Sequence, residues 1–168
     1  MNRAAVLFLS ASLASCISSS PPAPAVRFFD PTPAEVDSKE RPRITVRVDS
    51  APHLGREFVV RTGPREVVFD PRHSWISEPR QLVASAIERL TSPAPDQPTL
   101  RIDVEAFEVD VQAAPRARVR LVVRASLPKV IEEQEPAKDR TPESLAAAMA
   151  IALGRAANGV VAAVAVVK

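Results

Sequence analysis

The chain has 168 residues, 46% hydrophobic and 25% charged, and its 22 Lys and Arg exceed its 20 Asp and Glu by only two. That balance suits one folded domain of ordinary size, not a disordered chain or a strongly cationic nucleic-acid binder. One Cys and two His cannot build a Cys/His zinc cage, four Gly leave little for a phosphate-cradling loop, and six Phe with one Trp and no Tyr give few platforms for stacking bases.

Met1-Asn2-Arg3 is a short positive region, and residues 4–13 (AAVLFLSASL) form an apolar run too short to span a bilayer but long enough for a signal peptide core. Leu13-Ala14-Ser15-Cys16 then matches a bacterial lipobox, with the only Cys of the chain at the acylated position. The sequence therefore predicts a signal peptide over 1–15, cleavage before Cys16 and acylation of Cys16. Each buried methylene contributes about 0.8 kcal/mol, so a multiply acylated Cys anchors a protein with no transmembrane helix. Ile, not Asp, follows Cys16. By resemblance to enterobacterial lipoproteins, this implies transfer to the outer membrane, with the domain in the periplasm.

Residues 16–42 read as a lipidated Cys and a Pro/Ser-rich tether, interrupted at Val26-Arg27-Phe28-Phe29 by a candidate short strand. A single domain is predicted over 43–168. From Arg43, Ile44, Val46 and Val48 alternate with polar residues, the period-two mark of a half-buried strand. Short strands over 57–61 and 66–69 flank Thr62-Gly63-Pro64-Arg65, which reads as a hairpin turn. A helix is expected over about 77–91, with Ser77 as N-cap, Pro79 in the first turn and a stripe of Leu82, Val83, Ala86, Ile87 and Leu90.

Leu100, Ile102, Val104 and Ala106 alternate with polar residues, and Phe107, Val109 and Val111 continue with opposite parity. A bulge is predicted between Ala106 and Phe107, because without one the apolar face would turn outward. The following strand carries Arg116, Arg118, Arg120 and Arg124 on one face, and a turn near 113 would set them against Asp110, Glu108 and Glu105. Residues 129–140 read as an edge strand and loop. Thr141-Pro142-Glu143 opens a terminal helix over 142–165. Arg155 and Asn158 in its middle argue for a core helix over a membrane span, with Leu145, Met149, Leu153, Ala156, Val160 and Val164 inward. Its nearly apolar far side suits an oligomer interface. The fold class expected is α+β, a mixed and mostly antiparallel sheet packed by two main helices, with a three-layer α/β sandwich as the alternative.

Asp70-Pro71-Arg72-His73-Ser74-Trp75 is the one patch mixing groups that could be catalytic, but a triad is a matter of geometry and no G-x-S-x-G elbow is present. A strand-to-helix loop with Trp75 plugging the core accounts for these residues. His53 reads as a loop residue. No enzymatic activity, cofactor or metal site is expected.

The stretch Arg61 to Ile87 (RTGPREVVFDPRHSWISEPRQLVASAI) resembles the central signature of the ABC-type transport auxiliary lipoprotein family, the PqiC-type lipoproteins. Arg61, Thr62, Gly63, Pro64, Phe69, Asp70, Trp75 and Pro79 fall on its pattern of turn, strand, F-D pair and W-x-x-P approach to a helix. The lipobox and the aromatic start at Arg27-Phe28-Phe29 agree, although Phe stands where relatives carry Tyr. The chain departs from the family in its short, charged segment 129–140, where relatives often show a clearer hairpin, and in its unusually apolar C-terminal tail. The resemblance implies a non-catalytic component of an ABC/MCE lipid transport system, with an MCE-domain tunnel protein docking on it at the outer membrane and a ring-like homo-oligomer as one arrangement. Two other classes remain open at this point: a lipoprotein that itself holds a lipid between sheet and terminal helix, and an envelope-assembly scaffold.

Overall fold

The computed structural model of the protein describes residues 25–34 and 41–165. The expected signal peptide, the expected acylation site Cys16 and most of the expected tether lie outside the described residues. Seven strands and two helices follow in chain order: β1 (Arg27–Phe29), β2 (Val46–Ser50), β3 (Glu57–Gly63), β4 (Glu66–Trp75), α1 (Pro79–Glu88), β5 (Leu100–Asp110), β6 (Arg116–Arg124), β7 (Lys129–Pro136) and α2 (Pro142–Ala165). They build one sheet in the order β1-β4-β3-β5-β6-β7, with β2 also pairing β5. β2 and β3 lie in tandem along one edge of β5, against Leu100–Val104 and Glu108–Asp110 respectively, both parallel. The longer pairings, β3–β4, β5–β6 and β6–β7, are antiparallel. Both helices pack into the same core. The architecture is α+β, with a mixed, mostly antiparallel sheet and two helices.

β5 and β6 pair as their alternation requires, Asp110 facing Arg116 and Glu108 facing Arg118. The register shift lies between Val104 and Ala106, so Glu105 is the extra residue and the bulge sits just N-terminal to the predicted Ala106–Phe107 step. Expelling a polar Glu costs less than expelling Ala106, which is buried. The result is the one the parity flip demanded: Ile102, Val104, Phe107 and Val109 are all fully buried.

Two further boundaries differ from expectation. Residues 70–75 are not a loop; β4 runs through them to Trp75. Between Phe58 and Glu57, β3 advances one residue while β4 advances from Asp70 to Ser74, and this irregularity accommodates Pro71. Beyond it β1 pairs in parallel with His73, Ser74 and Trp75, and the Trp75 N–H donates to the Arg56 carbonyl at 2.7 Å. The N-cap of α1 is Glu78, not Ser77, and Pro79 occupies the first helical position, where its missing N–H costs nothing. α1 is therefore shorter than the predicted 77–91.

α2 begins as predicted, with the Thr141 hydroxyl accepting the Ser144 N–H at 3.3 Å. Of the six residues expected inward, Leu145, Met149, Leu153, Ala156 and Val160 are buried and Val164 is half-buried. Arg155 reaches Glu135 on β7 at 2.6 Å. The helix thus lies on the sheet as a core element, its charge paired to an edge strand.

Candidate functional site: the open face of the sheet

Alternation along β5 and β6 sends most apolar side chains to the helices and most charged ones to the opposite, open face, to which β7 adds Glu132 and Gln134. There Glu108 receives both Arg61 nitrogens, Nε and Nη2, at 2.8 Å, and Arg118 Nη1 at 2.8 Å. Arg118 continues to Glu132 at 3.0 Å, Glu132 also takes Arg120 at 2.6 Å, and Arg120 closes on the bulged Glu105 at 2.8 Å. Arg124 pairs with Asp103 at the end of the row. Glu108 is only 4% exposed. Burial alone would push its carboxyl up, but the hydrogen bonds from Arg61 and Arg118 outweigh burial and hold it below the usual range. The bond from Arg118, joined by those from Arg120 and Gln134, brings Glu132 down to about 2. A face compensated this thoroughly within itself offers few free charges to an anionic ligand.

The eight motif residues do not converge on a pocket. They build the β3–β4 hairpin and the approach to α1. Arg61 Nη1 donates to the carbonyls of Gly63 at 3.3 Å and Pro64 at 3.2 Å, so the residue that pairs with Glu108 also clamps the turn. Gly63 pairs with Glu66, leaving Pro64 and Arg65 as turn residues, and a Cβ on Gly63 would lie 3.2 Å from the Glu66 Cβ. Thr62 is exposed at the register shift between Arg61 and Gly63. Trp75 stacks on Phe58 at 3.9 Å between centroids and meets the edge of Phe107 at 5.3 Å, filling the core as expected. Pro79 is buried at the start of α1. Phe69 behaves differently: it lies on the open face opposite Val59 and is 50% exposed.

Asp70 accepts the Arg72 N–H at 2.9 Å and the His73 Nδ1 at 2.6 Å. Burial raises the Asp70 carboxyl, but the His73 and Arg72 bonds prevail and lower it. The His73 ring packs beside Phe29 and Phe58 on the helix side. Ser74, the next residue of the strand, points to the other face, so Asp70, His73 and Ser74 cannot act as a triad. Among the described residues, no three His, Cys, Asp or Glu side chains gather as a metal site requires.

The interface between sheet and α2 is filled by Phe107, Leu121, Met149 and Leu153, each at most 1% exposed. A cleft of about 200 Å³ lies elsewhere, between α1 and residues 30–33, rimmed by Asp30, Thr32, Gln81, Ser85 and Arg89 over a floor of Leu82 and Leu153. It is open and polar-rimmed, unlike a dry acyl-chain cavity.

Two features of the open face were not foreseen from the sequence. Glu132, which joins β7 to the ion-pair row, sits in the segment expected as an edge strand and loop, where its partners Arg118 and Arg120 were not foreseen; the alternation of Val130, Glu132 and Gln134 with their neighbours is its signal. Phe28 is 58% exposed on the open face while its neighbour Phe29 is turned into the core.

No family model and no curated protein matches the sequence. Solved structures do. The chain shares its fold with protein XCC0632 from Xanthomonas campestris, a crystal structure assigned to family DUF330. The two superpose with a TM-score of 0.71 over 80% of this chain and 92% of that one, at 20% identity. An uncharacterized protein of known crystal structure matches with a TM-score of 0.63 over 83% of this chain and 99% of that one, at 11% identity. Coverage this broad makes each a likeness of the whole domain rather than of one hairpin.

Proposed function

We propose that this chain is an auxiliary lipoprotein of an ABC/MCE-type lipid transport system, anchored through acyl groups on Cys16 at the outer membrane and docking a periplasmic MCE-domain tunnel protein. It holds no active site of its own and requires no cofactor. Residues 1–15 direct export, the segment from Cys16 to residue 42 tethers, and residues 43–168 carry most of the folded domain. Part of the tether segment, Arg27–Phe29, joins the sheet as β1.

The observation that supports this reading best is the continuity of the stretch from Arg61 to Pro79. The residues that resemble the family signature make one structural unit, a clamped hairpin leading through Trp75 into α1, within a fold shared with a DUF330 structure. Such residues preserve a scaffold, as expected where function lies in surfaces. The carrier reading is the weaker one, because the filled sheet–α2 interface leaves the expected lipid position occupied by side chains.

The test is mass spectrometry of what co-purifies with the native lipoprotein from mild detergent. An MCE-domain protein is the expected partner. Lipid alone would replace docking by carriage, and other envelope machinery would point to a scaffold.

A further inference from the structure

The register places Phe28 and Phe69 side by side. Phe28 pairs with Ser74, Ser74 with Glu57, and Phe69 with Val59, all on the open face. Ser74 and Phe69 are five residues apart on β4, but the irregularity at Pro71 takes up the difference: measured along β3, from Glu57 to Val59, the two Phe are one strand and two residue steps apart, about 8 Å between Cα atoms. They are 58% and 50% exposed, and Val26, just before β1, is 45% exposed. The Arg56 guanidinium lies 5.4 Å over the Phe28 ring, and its hydrogen bonds go to the carbonyls of Trp75 and Ile76, which leave its charge uncompensated. Most charges elsewhere on this face are paired, Arg101 being an exception among the described residues; here apolar rings lie with the Arg56 cation and with the exposed carboxylate of Glu57, which makes no ion pair among the described residues.

The position of this patch in the chain matters as much as its chemistry. β1 is the first described element, and the chain between Cys16 and Ala25 can reach at most about 30 Å when fully extended. With the β7 edge against the bilayer, β1 would stand five strand spacings away, about 24 Å, and the tether would have to be nearly taut. With β1 against the bilayer the tether is slack. A patch of two Phe, a Val and an Arg is too small to bind lipid from solution, but an anchor within this reach converts weak contact into an intramolecular one.

We propose that the β1–β4 edge of the open face rests on the lipid surface, with Phe28 and Phe69 in the interfacial zone and Arg56 against lipid phosphates. This rests on the reading of Cys16 as acylated, and it fixes the domain's orientation: partners from the periplasm meet the remaining faces.

The experiment uses the full-length, processed lipoprotein reconstituted into phosphatidylethanolamine/phosphatidylglycerol vesicles whose acyl chains are brominated. Phe28→Trp, or Phe69→Trp should the first variant fold poorly, is compared with Leu127→Trp. Leu127 is 84% exposed in the β6–β7 connection at the opposite edge. Bromine should quench the added fluorescence at 28 or 69 several-fold more than at 127. The mass of the N-terminal peptide and vesicle flotation report the anchor separately. An unmodified Cys16 with loss of flotation would overturn the anchor reading itself. Full acylation and flotation with equal or no quenching at 28 and 127 would overturn the orientation alone. A protein adduct, rather than a lipid adduct, to a photo-crosslinker at position 28 in cells would also overturn it and assign the patch to a protein partner.

Discussion

Replacing Glu108 by Gln tests whether the open face is a structural lattice. Glu108 is 4% exposed and meets three guanidinium nitrogens at 2.8 Å, while the side chains of Arg61 and Arg118 are 22% and 25% exposed. Removing one partner of a buried pair typically costs about 3–5 kcal/mol, because the remaining charge stays buried without compensation. Here the loss is smaller. Arg118 keeps Glu132, Arg61 keeps the carbonyls of Gly63 and Pro64, and both reach water. The expected loss is about 2–3 kcal/mol, which lowers Tm by about 10 °C in a domain of this size. The single Trp of the chain, Trp75, is 1% exposed and reports unfolding by fluorescence in a urea titration. Replacing all three residues together, as Arg61→Met, Glu108→Leu and Arg118→Met, should recover most of that loss, since apolar side chains of similar volume carry no desolvation penalty. A Glu108→Gln variant within 0.5 kcal/mol of the parent, about the scatter of surface substitutions, would refute the argument.

Acid should weaken the same lattice in a defined window. Glu132 is held at about 2 against 4.5 unperturbed, so its contribution is complete above about pH 4.5 and is lost as pH falls toward 2. The shift corresponds to about 2–3 kcal/mol after allowance for its partial exposure, and Glu132→Gln should flatten urea midpoints measured from pH 2 to 6. At Gly159 a Cβ would lie 3.0 Å from Ile131 Cγ2, so Gly159→Val should destabilise by about 1–3 kcal/mol despite better helix propensity. Adding Ile131→Val should restore part of that; a neutral single variant in thermal melts would mean that α2 and β7 have room to part.

The features most legible in the sequence were those fixed by short-range periodicity. β5 and β6 announce themselves by alternation, and matching Asp110, Glu108 and Glu105 to Arg116, Arg118 and Arg120 needs only a turn position and one bulge. The inward faces of α1 and α2 follow from helical stripes in the same way. What escaped depends on partners distant in the chain. Residues 71–75 carry a Pro and no alternation, yet β4 runs on through them to its pairing with β1, more than forty residues earlier, at His73, Ser74 and Trp75. The bulge sits at Glu105 because relative burial, invisible in a one-dimensional pattern, decides which residue is expelled. Phe28 and Phe29 are indistinguishable as letters; only the register with Ser74 and Trp75 sends one outward and the other into the core.

The most direct test of docking is photo-crosslinking in living cells from single exposed positions on the full-length protein, beginning with Leu127 in the β6–β7 connection and Ile151 on the outer side of α2. The account predicts that at least one such position captures an MCE-domain protein while the lipoprotein remains in the membrane fraction. An acylated, correctly localised protein that yields no MCE-domain adduct from any exposed position, or that yields other envelope machinery instead, would contradict it.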